Sequence, residues 1–405
     1  MLKRLYFFLF LIFLLCFMVP AVSAETAEDI TALAEFRVKW REVDLPNLTD
    51  GNYQTEWRSR DKEKADFEIM LPDHQPCYGL YALIGSEMEY LVVEREETGS
   101  WIPLPLQEER FNALYLPLDG LTHLRLRTTR GELRIMELRL YGPGDPPSNV
   151  VRFTATADKA DLMILACHPD DDVLWVGGLM PIYAGQLGMK VQMAYMTALY
   201  PFRRCEAMDA IWYLGVRQGP VFLGLPDRGG ITYWEATELW GGRRETALMI
   251  ARLIRRYRPE VLVTQDAKGE YGHTQHRAMT AACTLAVKMA ADPTERSLRD
   301  LPVWDVKKYY IHLYEDDALS LDMERPLSAF GGKNAFELAK EAFLLHVSQQ
   351  PSRFVMDLDG PNDMRKYGLA HTTVGADEAH IGLFEHLGEL YERELEFWNG
   401  AIGDI

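Results

Sequence analysis

Cysteine is scarce, with five among 405 residues. Cys16 falls in the leading segment, and Cys77, Cys167, Cys205 and Cys283 are spread too thinly for the disulfide framework of a small secreted domain. Long apolar runs are scarce too. The run Leu5 to Val19 falls short of the roughly 20 residues that span a bilayer, and no later stretch matches it. Positive charge is in deficit: 43 Lys and Arg stand against 60 Asp and Glu, a formal net charge of −17. So acidic a chain argues against nucleic acid and strongly anionic polymers as partners; neutral or amino-sugar substrates fit better. No Gly-x-Gly-x-x-Gly follows the first buried strand, so a dinucleotide cofactor is not indicated. Internal repeats and low-complexity tracts are also missing.

The leading segment reads as an address. Lys3 and Arg4 precede the apolar run, and Ala21-Val22-Ser23-Ala24 ends in a small-x-small pattern. Residues 1–24 are therefore expected to be a secretory signal peptide, and the mature protein secreted or extracytoplasmic, in the cell envelope or beyond it. Its removal takes two basic residues and moves the net charge to about −19. Leu15 before Cys16 argues against lipoprotein modification, which leaves an uncleaved N-terminal anchor as the one route to a membrane.

Turn formers mark a break at Gly142-Pro143-Gly144-Asp145-Pro146-Pro147-Ser148-Asn149. Residues 25–142 read as all-β, with short alternating runs at Phe67–Leu71, Tyr90–Glu94, Leu124–Thr128 and Ile135–Leu140 between Gly and Pro turns, which predicts an antiparallel sandwich. Residues 143–155 are the expected linker. From 156 to 405 strands alternate with helices. Strands are predicted at Leu162–Cys167, Lys190–Met196, Pro220–Leu225 and Glu260–Thr264, and helices at Arg203–Leu214, Arg243–Tyr257 and His276–Ala290. That rhythm predicts an α/β, Rossmann-like, mostly parallel sheet. Cys167 is read as a small buried apolar residue.

The chemistry-bearing residues lie at two predicted strand ends. His168-Pro169-Asp170-Asp171-Asp172 follows the first strand, and Tyr271-Gly272-His273-Thr274-Gln275-His276 follows the fourth. Ligands in open α/β sheets bind at such carboxyl ends. His273 and His276, three apart at a helix start, share a face. A catalytic zinc takes three protein ligands and keeps one open position, so His168, Asp171 and His276 are the natural three. Asp170 then remains as a base for an acidified water.

Two resemblances extend this reading. Leu48-Thr49-Asp50-Gly51-Asn52, Thr55-Glu56-Trp57, Gly99-Ser100-Trp101 and Met136-Glu137-Leu138-Arg139-Leu140-Tyr141-Gly142 resemble discoidin-like, galactose-binding-like jelly rolls. That resemblance implies a structural calcium with Asp50 and Glu137 as candidate ligands. Trp57 and Trp101 are expected in the core rather than stacked on sugars.

Cys-His-Pro-Asp-Asp-Asp at 167–172 resembles the Ala-His-Pro-Asp-Asp-Glu motif of the LmbE-like, PIG-L zinc-dependent de-N-acetylases. Tyr-Gly-His-Thr-Gln-His resembles their His-x-x-His motif, and Arg203-Arg204-Cys205-Glu206, Leu214-Gly215-Val216 and Leu223-Gly224-Leu225-Pro226-Asp227 match between them. The resemblance implies one zinc per chain on His168, Asp171 and His276, Asp170 as general base, His273 as oxyanion stabiliser with Tyr271 assisting, and Arg203 and Asp227 as sugar-binding or structural positions. Departures are Asp172 for the usual Glu, Thr274 for Pro, and Gln275 for the Asp of His-Pro-Asp-His, which removes a charge beside the two imidazoles. His346 and His371 are further candidates for shaping the pocket; Ser348 lacks the strand–turn–helix elbow of a nucleophile.

The function so implied is removal of acetyl from an N-acetylated amino sugar of N-acetylglucosamine type in a glycan or glycoconjugate, with the sandwich holding the enzyme on carbohydrate. The alternative is a carbohydrate-binding surface protein with an inactive deacetylase-like domain. A thiol-pathway deacetylase works inside the cell, which the leading segment argues against.

Overall fold

The computed structural model describes residues 25–38, 43–59, 66–316, 318–350 and 354–400. The expected signal peptide, with Cys16, lies outside these residues. Among the described residues no helix is long and apolar enough to cross a membrane.

The first half is built from nine strands: β1 (Glu35–Val38), β2 (Trp57–Arg58), β3 (Asp66–Met70), β4 (Cys77–Ile84), β5 (Leu91–Glu97), β6 (Ser100–Pro103), β7 (Ala113–Leu121), β8 (His123–Thr128) and β9 (Arg134–Tyr141). They form two antiparallel sheets, ordered β1-β3-β8-β5-β6 and β2-β9-β4-β7. The alternation seen in the sequence has its expected cause. Phe67 and Ile69, Leu91 and Val93, and Leu124 and Leu126 point into one core shared with Leu80, Leu138 and Leu140 of the second sheet. Trp57 is in that core, edge-on to Phe67 at 4.9 Å, while Trp101 lies under the guanidinium of Arg125 at 4.3 Å.

The second half carries a seven-stranded sheet: β10 (Leu162–Ala166), β11 (Val191–Tyr195), β12 (Val221–Phe222), β13 (Val261–Thr264), β14 (Lys308–His312), β15 (Ala318–Ser320) and β16 (Lys366–Thr372). Its order is β12-β11-β10-β13-β14-β16-β15. The first five are parallel, and β16 and β15 add antiparallel pairing at one edge. β10 is apolar throughout because both its faces are covered. Leu162, Ile164 and Ala166 pack into one core, while Met163, Leu165 and Cys167 pack into the other, under helices Arg243–Tyr257 and Thr274–Ala291. Strand order reverses between β10 and β13, which opens the crevice where α/β sheets bind ligands.

The two halves share a core. Tyr81, Leu83, Ala113 and Met136 of the second sandwich sheet belong to the same apolar cluster as Val150, Phe153 and Trp212. Tyr53 donates a hydrogen bond across the junction to Asp209 on helix Pro201–Tyr213. Burial, with help from Glu137 and Glu206 and against the Tyr53 bond, pushes Asp209 up to about 7. Its folded value lies above its unfolded value near 4, so this carboxyl costs stability progressively as pH rises from about 4 to about 7. Asn mimics the protonated form and still accepts from Tyr53. The melting temperature of Asp209→Asn should match wild type near pH 4 and exceed it by several degrees at pH 8, corresponding to about 4 kcal/mol. A gap that does not change with pH would contradict this account of the junction.

Candidate active site

Both motifs stand at carboxyl ends of neighbouring parallel strands. After β10 the chain turns through His168 and Pro169, and Asp170 takes φ +128°, a conformation L-residues rarely adopt. The short helix Asp171–Leu174 begins there. After β13 a loop leads to His273, the N-cap of helix Thr274–Ala291, so His276 lies in the first turn. Gly178 lets the segment pass close to its neighbour: a Cβ there would meet the Met323 side chain at 2.2 Å.

Three ligand atoms converge. Asp171 Oδ2 is 2.9 Å from His168 Nδ1 and 3.1 Å from His276 Nε2, and the two nitrogens are 3.1 Å apart. Ligand atoms around a tetrahedral zinc at 2.0–2.1 Å stand roughly 3.3 Å apart, so the triangle has the size such an ion needs. The remaining Asp171 oxygen accepts from Trp175 Nε1 at 2.9 Å, which fixes the carboxylate. The charge balance fits a cation too. Burial pushes Asp171 up, yet His276 and His168 outweigh it and hold the carboxyl well below its usual range. Burial lowers His276, but Asp171 and Glu270 outweigh it and lift the imidazole to about 10. The cluster thus draws positive charge to its centre. Cys167 completes a four-residue group with these three, but its Sγ is 3.7 Å from His168 Nε2, the nitrogen facing away from the triangle. Burial, reinforced by Asp171, keeps its thiol protonated, consistent with a buried apolar role.

The rest of the site surrounds this triangle. Asp170 is pushed up to about 7 by burial and Asp171, with Arg203 and His168 opposing. Arg203 Nη2 is 3.1 Å from Asp170 Oδ1, and Nη1 is 3.2 Å from Asp227 Oδ2. Asp227 Oδ1 is in turn 3.5 Å from His168 Nε2. These two residues brace the Asp170 turn and the His168 ring, so the structure gives them a positioning geometry. His273 packs between His168 and His276 at centroid distances of 4.8 and 4.4 Å. Burial, then the two imidazoles, lower it to about 4, so it is neutral at physiological pH. Its buried Nδ1 has no hydrogen-bond partner among the described residues. Tyr271 is 50% exposed and forms one wall of the site with Trp175 and Phe354, at ring distances of 5.9 and 4.8 Å.

Each departure in the motifs has a structural outcome. Asp172 accepts from the backbone N–H of Asp170 at 2.9 Å and from Tyr195 Oη at 2.8 Å, so the shorter acid holds the turn and not a ligand ring. Gln275 Oε1 faces His168 Nε2 at 3.2 Å, and its amide nitrogen donates to the Pro226 carbonyl. His346 is fully buried, with Nε2 3.6 Å from Asp172 Oδ1, beneath the site. His371 instead faces Asp305 Oδ1 at 3.1 Å on β16, and its pocket-shaping role is not seen. Ser348 spends both N–H and Oγ on Glu206, at 2.8 and 2.6 Å, which gives that helix acid the role of holding the Ser348 turn.

The calcium expectation meets a competing cation. Glu137 does approach the Asp50 turn, accepting from Gly51 N at 3.3 Å. Its other oxygen is taken by the Arg139 guanidinium at 2.6 Å, and Asp50 accepts from Asn52 N and Thr55 Oγ1. Among the described residues the metal-competent group of His, Cys, Asp and Glu is the one around Asp171; Arg139 supplies the positive charge that calcium was expected to bring.

Sequence reasoning missed Glu270. Its Oε2 is 2.6 Å from His276 Nδ1, and its side chain is wholly buried. Burial raises this acid, but hydrogen bonds from His276 and His312 outweigh it and hold it below the usual range. The one local signal was an acidic residue directly before Tyr271.

Residues 163–287 match the family described as PIG-L, GlcNAc-PI de-N-acetylase. The chain is similar to the 1D-myo-inositol 2-acetamido-2-deoxy-alpha-D-glucopyranoside deacetylases of Streptomyces avermitilis (32% identity over 37% of this chain and 60% of that one) and Rhodococcus opacus (29% over 60% and 93%). It spans about 60% of the length of the curated relatives it matches first. Among solved structures it is similar to the N,N'-diacetylchitobiose deacetylase of Pyrococcus horikoshii (20% identity, TM-score 0.37, 48% of this chain and 72% of that one).

Proposed function

We propose that the protein is a secreted, zinc-dependent hydrolase that removes acetyl from an N-acetylglucosamine-type sugar in a glycan or glycoconjugate. The observation that carries this is the convergence of His168 Nδ1, Asp171 Oδ2 and His276 Nε2 on one point, with Asp170 in the same turn. The amide-bearing amino sugar named in the curated relatives supports the substrate class.

The residues divide the work as follows. His168, Asp171 and His276 would hold the metal. When bound, zinc supplies Lewis acidity that polarises the acetyl carbonyl and eases loss of a proton from water. Asp170, braced by Arg203, takes that proton as the water oxygen bonds to the acetyl carbon. It returns the proton to the sugar nitrogen as the C–N bond breaks, giving acetate and a free amine. His273, neutral, offers an N–H to the carbonyl oxygen as negative charge develops on it, and the Tyr271 phenol stands beside it. The three-ring wall suits a pyranose face. Asp227 would orient Arg203 and the His168 ring without touching the reacting atoms. The sandwich is read as a discoidin-like unit, rigidly joined through the shared core, that presents the site to carbohydrate.

The test is acetate release by the full chain from N-acetylglucosaminides, set against the matching O-acetyl and N-acetylamino-acid compounds. Zinc-dependent release from the sugars is expected; release from the other acyl compounds alone would move the reading to a different bond. Phe354→Ala removes part of the wall and should raise KM about 3- to 10-fold, with kcat nearly unchanged, the loss of one ring contact. An unaltered KM would show that this wall does not meet the substrate.

A further inference from the structure

We propose that Glu270 is a positioning residue that sets the tautomer and direction of His276 and thereby the zinc affinity of the centre. It supplies from the loop the carboxylate that the second motif lacks at Gln275. The inference rests on the metal site proposed above and concerns a residue outside both motif patterns.

The argument is geometric. His276 must present Nε2 to the metal as a lone pair, so its proton must sit on Nδ1. Two groups face Nδ1: Glu270 Oε2 at 2.6 Å and Gln265 Nε2 at 3.1 Å. The amide nitrogen can only donate, and Gln265 is held in this orientation because its Oε1 accepts from Cys167 N at 2.6 Å. The carboxylate can only accept, and its contact is the shorter and charge-assisted one. Nδ1 therefore carries the proton. Glu270 is itself fixed: Oε1 accepts from Asp266 N at 2.8 Å and faces His312 Nδ1 at 3.3 Å. The His312 ring is pinned on its other side by the Asp363 carbonyl at 3.1 Å.

Two further observations point the same way. Glu270 has φ +50°, a left-handed conformation an L-residue adopts at a cost. Strain of this kind persists where the surroundings over-determine it, commonly at functional sites. Gln275, in place of a second-motif acid, serves the other imidazole through His168 Nε2. Each imidazole ligand thus has its own acceptor, the Gln275 amide for His168, with Asp227 Oδ1 further off at 3.5 Å, and a buried carboxylate for His276. A carboxylate behind a ligating imidazole raises its basicity and locks its ring, and its loss commonly costs 10- to 100-fold in metal affinity.

The test is zinc affinity of the full chain by chelator competition, alongside the visible spectrum of the cobalt(II)-loaded protein. Glu270→Ala should bind zinc about 10- to 100-fold more weakly than wild type. Glu270→Gln keeps an acceptor and the volume, so it should fall between the two and shift the cobalt bands. It also guards against a folding defect in the alanine variant: melting of metal-free Glu270→Gln should stay within about 2 °C of wild type. Wild-type affinity and unshifted bands in Glu270→Gln, together with wild-type affinity in folded Glu270→Ala, would overturn the inference and leave the proposed function standing. A wild-type chain that binds no zinc would overturn the proposed function, and this inference with it.

Discussion

Asp170→Asn is expected to lower kcat for acetate release by about 10²- to 10⁴-fold, the range of a single general acid–base group. KM should change little, and zinc should remain bound at one equivalent. The substitution keeps the shape of the side chain and a carbonyl oxygen for Arg203, which is 3.1 Å from Asp170 Oδ1. It also keeps the backbone N–H that Asp172 accepts. What it removes is the capacity to take a proton from water and return it to the amine. Rapid-quench measurement of acetate, with metal content determined on the same sample, checks the prediction. A loss of metal in parallel with activity would mean that Asp170 is a ligand and that the division of roles within the motif is wrong. Retained activity would mean that another group accepts the proton.

Asp171→Ala should have the larger effect, because it removes the oxygen on which both imidazoles converge, at 2.9 and 3.1 Å. Structural zinc sites in small peptides are worth roughly 10–16 kcal/mol in total, which sets the scale. One ligand of three or four is then worth about 3–5 kcal/mol, or some 10³-fold in affinity. The variant should lose its metal on ordinary dialysis and release no measurable acetate. It also leaves the Trp175 indole N–H without its acceptor, a contact of 2.9 Å in the native protein. The metal-free variant should therefore melt below metal-free wild type. Atomic absorption and calorimetry test the two parts separately. A variant that keeps one zinc with native affinity would place the metal elsewhere in the chain.

These effects trace to residues whose neighbours in sequence are also neighbours in space. That is why the site was largely legible. His168 to Asp172 occupy one turn at a strand end, and His273 to His276 one turn at a helix start, so local pattern alone brings each group together. β10 was readable for a related reason: a strand buried on both faces is a continuous apolar run. The alternation of strands and helices then implied the parallel sheet, though not its order around β10. The Pro220–Leu225 strand shrinks to Val221–Phe222, since Pro220 and Gly224 flank it and Gly224 takes a positive φ. The helix expected from Arg203 starts at Pro201, whose fixed φ and missing N–H suit a first turn. The antiparallel additions β15 and β16 were not anticipated, because their partners are set by the end of the α/β unit rather than by their own pattern.

What stayed hidden depends on contacts between distant parts of the chain. Phe354 beside Tyr271 is such a case. Glu270 is only five residues from Gln275, yet its reach to His276 depends on a left-handed backbone that no propensity scale anticipates. The calcium expectation finds no support, and there the reason is local. Asp50 and Glu137 do come together as a pair, but Arg139, two residues along β9, reaches the Glu137 carboxylate and neutralises it. A motif records which acids are present and not which cation answers them.

The central claim is that one metal ion, held by His168, Asp171 and His276, serves hydrolysis of an N-acetyl sugar. Its most direct test is acetate release by the full chain after chelator stripping and stepwise return of zinc. The account predicts that stripping abolishes release from N-acetylglucosaminides and that activity returns in proportion to zinc, saturating at one equivalent per chain. Undiminished release from stripped protein would contradict it, as would one bound equivalent of zinc with no acetate from any N-acetylated sugar.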